Sequence, residues 1–357
     1  MAVSFGFLSK KIIGINIGPS SIKIIKLAKA GHNNCILEGY DIIDLPAGAV
    51  MNGIIKDHAS VASYIKNSFV RHGFNNKNVA VSIPCKHVII KTIEMPKMKK
   101  EELDSAIFFE AQQYITYDIN EVSFDYVVLG DSPTGINTNM IMIVAGKKDI
   151  INDHIQLIHE SGLNPLIVDV DCIALENMFS FNYPEEEDQM ICLIRAGSLE
   201  TNVHVINKGR NLFRRDIPMG GFNITEEISK KFQIEFNEAE NIKTGGINLK
   251  DLNFQTNYAI YLNMIVLRIT SEIQRTIDYF AANNDKQYPK KIFLTGGSSK
   301  ITGLAEGIEA KTNIPVEIAN SFRHITFKPG IGDPGVLDAY SGSFGIAVGL
   351  AAGGLQS

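Results

Sequence analysis

The stretch Ile12-Ile-Gly-Ile-Asn-Ile-Gly-Pro-Ser-Ser-Ile-Lys-Ile-Ile-Lys-Leu27 decides the fold. Two β-branched runs flank a Gly/Pro/Ser turn, the pattern of strand, tight turn, strand. Met190-Ile-Cys-Leu-Ile-Arg-Ala-Gly-Ser-Leu-Glu-Thr-Asn-Val-His-Val-Ile206 repeats it roughly half a chain later. Ile194-Arg-Ala-Gly197 falls where Ile15-Asn-Ile-Gly18 falls in the first copy. A third strand candidate follows each, at residues 35–45 and 211–218. The repeat predicts a duplicated α/β architecture, two lobes around a cleft, with lobes at residues 1–184 and 185–357.

Outward from these hairpins, residues 79–83 and 87–94 read as strands. A helix begins near residue 99, with Leu103, Ile107, Ala111 and Tyr114 on one face. Strands at 124–129 and 140–145 follow, joined by a turn with Pro133 and Gly135. This β-β-α-β-β order predicts a small α+β insert at about 79–147. A helix at 150–161 and a strand at 165–169 complete the first half. In the second half, helices at 223–232 and 237–243 end at Thr244-Gly-Gly246, a C-cap signal. A long helix then carries Tyr258, Leu262, Ile265, Ile269, Ile273, Ile277 and Phe280 on one stripe. At 1.5 Å per residue it is roughly 35 Å long. A second subdomain is expected at about 225–284. Strand 291–294, the loop Thr295-Gly-Gly-Ser-Ser299, helix 303–312 and strand 315–319 come next. The Gly/Ala-rich tail from Gly345 to Leu355 suits a closely packed terminal helix.

The 357 residues, 45% apolar and 20% charged, fit a folded chain of two domains. A net charge of −5 argues against nucleic acid as the partner, since phosphate contacts need a basic surface. Neither a signal peptide nor a run of about 20 apolar residues stands out, so a cytoplasmic protein is expected. Cys35, Cys85, Cys172 and Cys192 are far apart in sequence, which excludes a CxxC pair and argues against zinc. Their apolar surroundings fit buried small hydrophobes in a reducing compartment.

A Gly-rich turn between strands points backbone N–H groups into one concavity, which suits phosphate oxygens. Gly18, Ser20, Ser21 and Lys23 offer this at the first hairpin, and Gly197, Ser198 and Thr201 at the second. Gly296 and Gly297, between a strand and a helix, are a third such feature. Asp169, Asp171 and Asp216 read as caps or ion-pair partners rather than general bases. No GxxxxGK[ST], HExxH or GxSxG motif is present. Neither a catalytic residue nor a metal ligand set is assigned.

Together these segments resemble the actin/Hsp70/FtsA superfamily and, within it, the PilM family of type IV pilus assembly proteins. The resemblance rests on Phe5-Gly-Phe-Leu-Ser-Lys-Lys before the first hairpin, on Phe109-Glu-Ala-Gln-Gln-Tyr-Ile115 with Glu121-Val-Ser-Phe-Asp-Tyr126, and on Phe213-Arg-Arg-Asp-Ile-Pro-Met-Gly-Gly221. Glu238-Ala-Glu-Asn-Ile-Lys243, Leu294-Thr-Gly-Gly-Ser298 and Ile314-Pro-Val-Glu-Ile-Ala-Asn-Ser-Phe322 extend it over nearly the whole chain. It implies an actin-like ATPase fold, subdomains 1A and 1C in the first lobe and 2A and 2B in the second, and ribose and adenine contacts by Glu240 and Lys243.

The chain departs from the family pattern at two places. Asn16 and Arg195 stand where the pattern has Asp on each phosphate loop, the carboxylates that hold Mg²⁺. Mg²⁺ needs hard anionic oxygens. A guanidinium about 4 Å away would oppose a unit positive charge by about 4 kcal/mol at an effective dielectric near 20, and a divalent ion by twice that. ATP or ADP therefore remains a candidate ligand, Mg²⁺ is disfavoured, and efficient hydrolysis is not expected. The resemblance implies a cytoplasmic scaffold that binds the N-terminal peptide of PilN and links the inner-membrane pilus platform to the motor, touching membrane only through partners. An active nucleotide-driven switch or an FtsA-like polymer is the alternative.

Overall fold

The computed structural model describes residues 12–30, 34–115, 117–132, 135–245 and 252–356. Residues 5–11, Pro133 and Gly246, used above, lie outside the described residues. The chain divides into two compact units, Met1–Met178 with Ile346–Ser357, and Phe179–Gly345.

The first unit opens with β1 (Ile13–Ile17), β2 (Ser21–Lys29) and β3 (Cys35–Asp44), an antiparallel meander in which every isoleucine of β1 and β2 is buried. A short hairpin, β4 (Val50–Met51) and β5 (Ile54–Ile55), leads to α1 (His58–Arg71). Asp57 caps α1 by accepting from the Ser60 N–H, and Val61, Ala62, Ile65 and Phe69 form its buried face. Next come β6 (Asn78–Ile83), β7 (Val88–Pro96), α2 (Lys100–Gln112), β8 (Val122–Asp131), β9 (Thr138–Lys147), α3 (Lys148–Glu160), β10 (Asn164–Val170) and α4 (Asp171–Asn182). The main strands run β10-β6-β1-β2-β3, with β6 parallel to both β1 and β10.

The insert begins one strand later than the sequence predicts. β6 is buried along nearly its whole length because it fills the main sheet between β1 and β10, and only β7, β9 and β8 form the separate three-stranded sheet. α2 packs on that sheet through Leu103, Ile107 and Ala111 against Ile93, Ile141 and Ile143.

The second unit holds β11 (Met190–Ala196), β12 (Thr201–Asn207), β13 (Arg210–Ile217), α5 (Gly221–Phe232), α6 (Phe236–Lys243) and α7 (Leu252–Ala282). β14 (Lys291–Thr295), α8 (Leu304–Thr312), β15 (Val316–Ile318), β16 (Ile325–Phe327) and α9 (Pro334–Tyr340) follow. Its sheet runs β13-β12-β11-β14-β15, with the first pairs antiparallel and the last two parallel. That is the order and sense of β3-β2-β1-β6-β10, so the duplication read from two hairpins extends through five strands of each unit. The α7 stripe from Tyr258 to Phe280 is buried in one cluster with Ile194, Val203, Ile292 and Leu294.

The last helix, α10 (Gly345–Gln356), groups almost wholly with the first unit, not with the second lobe as the lobe boundary at 184/185 implied. Its small residues explain this. A Cβ at Gly14 would sit 2.2 Å from the Ala347 carbonyl oxygen, and one at Gly349 would sit 1.7 Å from that of Ala174. Glycine on each side lets α10 lie flush on β1 and α4.

Candidate functional site

The site residues fall into one set in each unit. In the first, the β1–β2 turn is closed by the Gly18 N–H donating to the Ser21 carbonyl at 3.0 Å. Pro19 has no N–H, so the turn offers an anion fewer donors than its Gly-rich sequence implies. Ser20 is exposed, while Ser21 is buried and its hydroxyl accepts from Lys23 Nζ at 2.7 Å. Asn16, 7% exposed, lies opposite Lys23 and donates to Ser82 Oγ in a long 3.4 Å bond.

Ile15 pairs with Val81, and Ser82 with Asp169, so Asn16, Ser82 and Asp169 stand side by side at the ends of three strands. Burial, helped by the charges of Asp171 and Glu176, pushes the Asp169 carboxyl up to about 6. Its Oδ1 accepts from the Val170 N–H at 2.7 Å. The sequence reads Asp169 as a cap or ion-pair partner, and the strand register places it beside Ser82. The Asp171 carboxylate accepts from the Cys85 backbone N–H, and the Asp216 carboxylate from the Asn202 side-chain amide, each at 2.7 Å.

In the second unit the Gly197 N–H donates to the Glu200 carbonyl at 2.9 Å, the same closure as at Gly18. Here Arg195 lies opposite Asn202 and donates to its Oδ1 at 2.8 Å. Asn202 passes the contact on to Asp216 Oδ1 at 2.7 Å and Glu200 Oε1 at 3.3 Å. The two hairpins therefore carry the same asparagine–cation cross-strand pair with the strands exchanged: Asn16 with Lys23, Arg195 with Asn202. A Cβ on Gly18 would lie 3.6 Å from Lys23 Nζ, and one on Gly197 3.5 Å from Arg195 Nη1. Each loop glycine has a cation beside it, and neither hairpin presents a carboxylate from its first strand.

Around Gly197 the remaining loops are stitched together. Gly221 N–H donates to the Gly197 carbonyl at 2.9 Å and Phe222 N–H to that of Ser198 at 2.8 Å, so the α5 N-terminus is satisfied by the hairpin. Ser298 Oγ donates to the Gly197 carbonyl at 3.0 Å, and its N–H to Ala196 at 3.0 Å. Gly296 holds φ +97°, and a Cβ there would meet the Ala196 carbonyl oxygen at 2.2 Å. Gly297, beside it, is exposed. Thr201 is buried and braces the sheet by donating to the Met219 carbonyl at 2.8 Å.

Lys243 is 2% exposed, and burial lowers its pKa. Its ammonium donates to the Gly221 carbonyl at 3.1 Å, Thr225 Oγ1 at 2.8 Å and Glu240 Oε2 at 2.6 Å, which occupies its three protons. Thr225 also contacts Glu240. Lys243 thus positions Glu240 and Gly221, while Glu240 keeps about half of its side chain exposed. The structure brings Gly197, Ser198, Glu240, Lys243 and Gly296 into one network. Gly220, Gly221, Thr225 and Ser298 belong to it too, and only the Gly-Gly pair at the head of a helix signalled them in sequence.

A profile of the type IV pilus assembly protein PilM family matches residues 14–354. The chain belongs to the PilM family. Among solved structures, a PilM–PilN type IV pilus biogenesis complex is similar at TM-score 0.83 and 22% identity, covering 98% of this chain and 100% of that one. The ethanolamine utilization protein EutJ from Carboxydothermus hydrogenoformans is similar at TM-score 0.56 and 13% identity, covering 97% and 90%. The fold is actin-like. Cell division protein FtsA of Neisseria meningitidis serogroup B is 27% identical over 151 residues, 37% of this chain and 36% of that protein. FtsA of Staphylococcus epidermidis is 23% identical over 254 residues, 65% and 53%. The chain thus spans about a third to a half of the length of these curated relatives. Among the described residues, no helix of this PilM-family chain is long and apolar enough to cross a membrane.

Proposed function

We propose that this chain is a scaffold of type IV pilus assembly that binds the N-terminal cytoplasmic peptide of a PilN-type partner and is degenerate in ATP hydrolysis. One observation carries the second half: at the equivalent position of both hairpins the side chain is an amide or a guanidinium, and Arg195 is held against Asn202. Without a carboxylate to orient it, Mg²⁺ loses its templating role in phosphoryl transfer. PilM-family membership and likeness to a PilM–PilN complex support the partner. In this role the protein sits at the cytoplasmic face, meets membrane through its partners, and links the platform to the motor.

Calorimetric titration of the whole chain with a PilN N-terminal peptide, beside ATP with and without Mg²⁺, tests this. Peptide binding with no Mg²⁺-dependent turnover is expected; Mg²⁺-dependent hydrolysis with no peptide heat would overturn it.

A second reading, nucleotide binding without metal, is favoured by the cations Lys23 and Arg195 beside the two loop glycines. ATP or ADP would then bind equally with and without Mg²⁺. Arg195→Ala would weaken binding about tenfold, the loss of one charge-assisted contact of about 1.4 kcal/mol. Unchanged affinity would show Arg195 to be a sheet brace only.

A further inference from the structure

We propose that Cys85 and Cys172 are a dithiol–disulfide pair that, when oxidised, locks the root of the inserted module to α4. The two residues are 87 apart in sequence, yet their sulfurs lie 2.8 Å apart. Both are free thiols. A disulfide measures about 2.05 Å, so closing the remaining gap of about 0.8 Å needs only a small side-chain rotation.

The surroundings hold the pair in place. Cys85 N–H donates to Asp171 Oδ1 at 2.7 Å, which fixes the backbone before β7 against the first residue of α4. Cys172 belongs to a buried cluster with Val170 and Ile173, against which Cys85, Val88, Ile90, Met142 and Val144 pack. The last four belong to β7 and β9, and Cys85 lies in the turn that leads into β7, so a bond between the sulfurs would tie the entry of the inserted sheet to α4.

Sulfur spacing decides between a disulfide and a metal. With the Asp171 carboxylate, the two sulfurs form a group whose candidate ligand atoms lie within 4.8 Å of one another. Two thiolates sharing a tetrahedral zinc at about 2.3 Å each would stand about 3.8 Å apart. The observed separation is well inside that and close to a covalent bond.

Access sets the order of events. Cys85 is partly exposed, whereas Cys172 is buried. Cys85, as thiolate, attacks one sulfur of a low-molecular-weight disulfide, forming a mixed disulfide and releasing one thiol. Cys172, as thiolate, then attacks the Cys85 sulfur and releases the second thiol. The oxidant's S–S bond is reduced to two thiols, which take up the two protons that the cysteines lose. Cys35 and Cys192 are also buried, and burial raises the pKa of both thiols, so they serve as internal controls.

The test uses the full chain treated with oxidised glutathione and mapped without reduction. The expected result is one intramolecular cross-link between the peptides holding Cys85 and Cys172, reversed by dithiothreitol. Two of the four thiols should be lost, with Cys35 and Cys192 alkylated at least about tenfold more slowly than Cys85 in the reduced chain. Amide exchange in β7 and the start of α4 should slow on oxidation. Cys172→Ala should stop at a stable glutathione adduct on Cys85, and Cys85→Ser should give neither product. A stable adduct on Cys85 in the unmutated chain, cross-links through Cys35 or Cys192, or stoichiometric zinc held by both sulfurs would each overturn the proposal. Mapping the unmutated chain decides the matter even if a variant folds poorly.

Discussion

Replacing Lys243 by methionine should destabilise the second unit by about 2–4 kcal/mol. The side chain is 2% exposed and spends its three protons on Gly221, Thr225 and Glu240. Methionine fills much of the volume but donates nothing. Of the three acceptors, Glu240 has half its side chain in water and can be resolvated, so its charge is not stranded. The Gly221 carbonyl keeps the Thr225 hydroxyl as a donor at 2.8 Å, so neither interior group is left bare, but each loses a hydrogen bond to a charged group, worth about 1.5–3 kcal/mol. Two of them, less the relief of no longer burying an ammonium, give the stated range; a fully buried pair broken on one side would cost about 3–5. For a unit of this size that is a fall in Tm of roughly 5–15 °C. Denaturant and thermal melts of Lys243→Met measure the loss, and a double-mutant cycle with Glu240→Gln measures the coupling. A loss under about 1 kcal/mol, or no coupling, would refute the view that Lys243 braces the α5–α6 junction. Because Gly221 also donates to Gly197, amide exchange at the second hairpin should quicken in the same variant.

Gly296→Ala should cost more than about 2 kcal/mol, since a Cβ would meet the Ala196 carbonyl in a left-handed backbone. Gly303→Ala, also left-handed but with nothing nearby, should cost less, and equal losses in melts would show that contact is not the cause. Asp169, pushed up to about 6 from 3.8, binds its proton more tightly folded than unfolded. Its penalty is therefore absent below pH 3.8, grows between 3.8 and about 6, and is complete above, at most about 3 kcal/mol at 1.36 per unit. Asp169→Asn should accordingly gain stability over the unmutated chain as pH rises from 4 to 8, and parallel pH curves would refute the shift. Asn16→Asp with Arg195→Asp should restore Mg²⁺-dependent nucleotide binding, read by calorimetry with and without metal; no metal dependence would place the defect elsewhere in the loops.

Local pattern sufficed wherever the determinant lies along the chain. β-branched runs around Gly18 and Gly197 wrote both hairpins, period 3.6 wrote the α7 stripe, and the Gly-rich tail wrote a close-packed helix. The departures at Asn16 and Arg195 were equally legible, because a missing carboxylate is a fact of composition. Helix α1, with its Asp57 cap, passed unread between two turns. Tertiary structure alone decided the rest. Whether β6 belongs to the insert or the main sheet depends on parallel pairing with strands far away in sequence, which no local period encodes. The same holds for α10, drawn to the first unit by glycines on both sides of the contact. It holds too for Arg195, whose contact with Asn202 follows from cross-strand register, which sets which side chains meet. Cys85 and Cys172 are the sharpest case: 87 residues of spacing conceal a contact that packing of β7 and β9 on α4 creates.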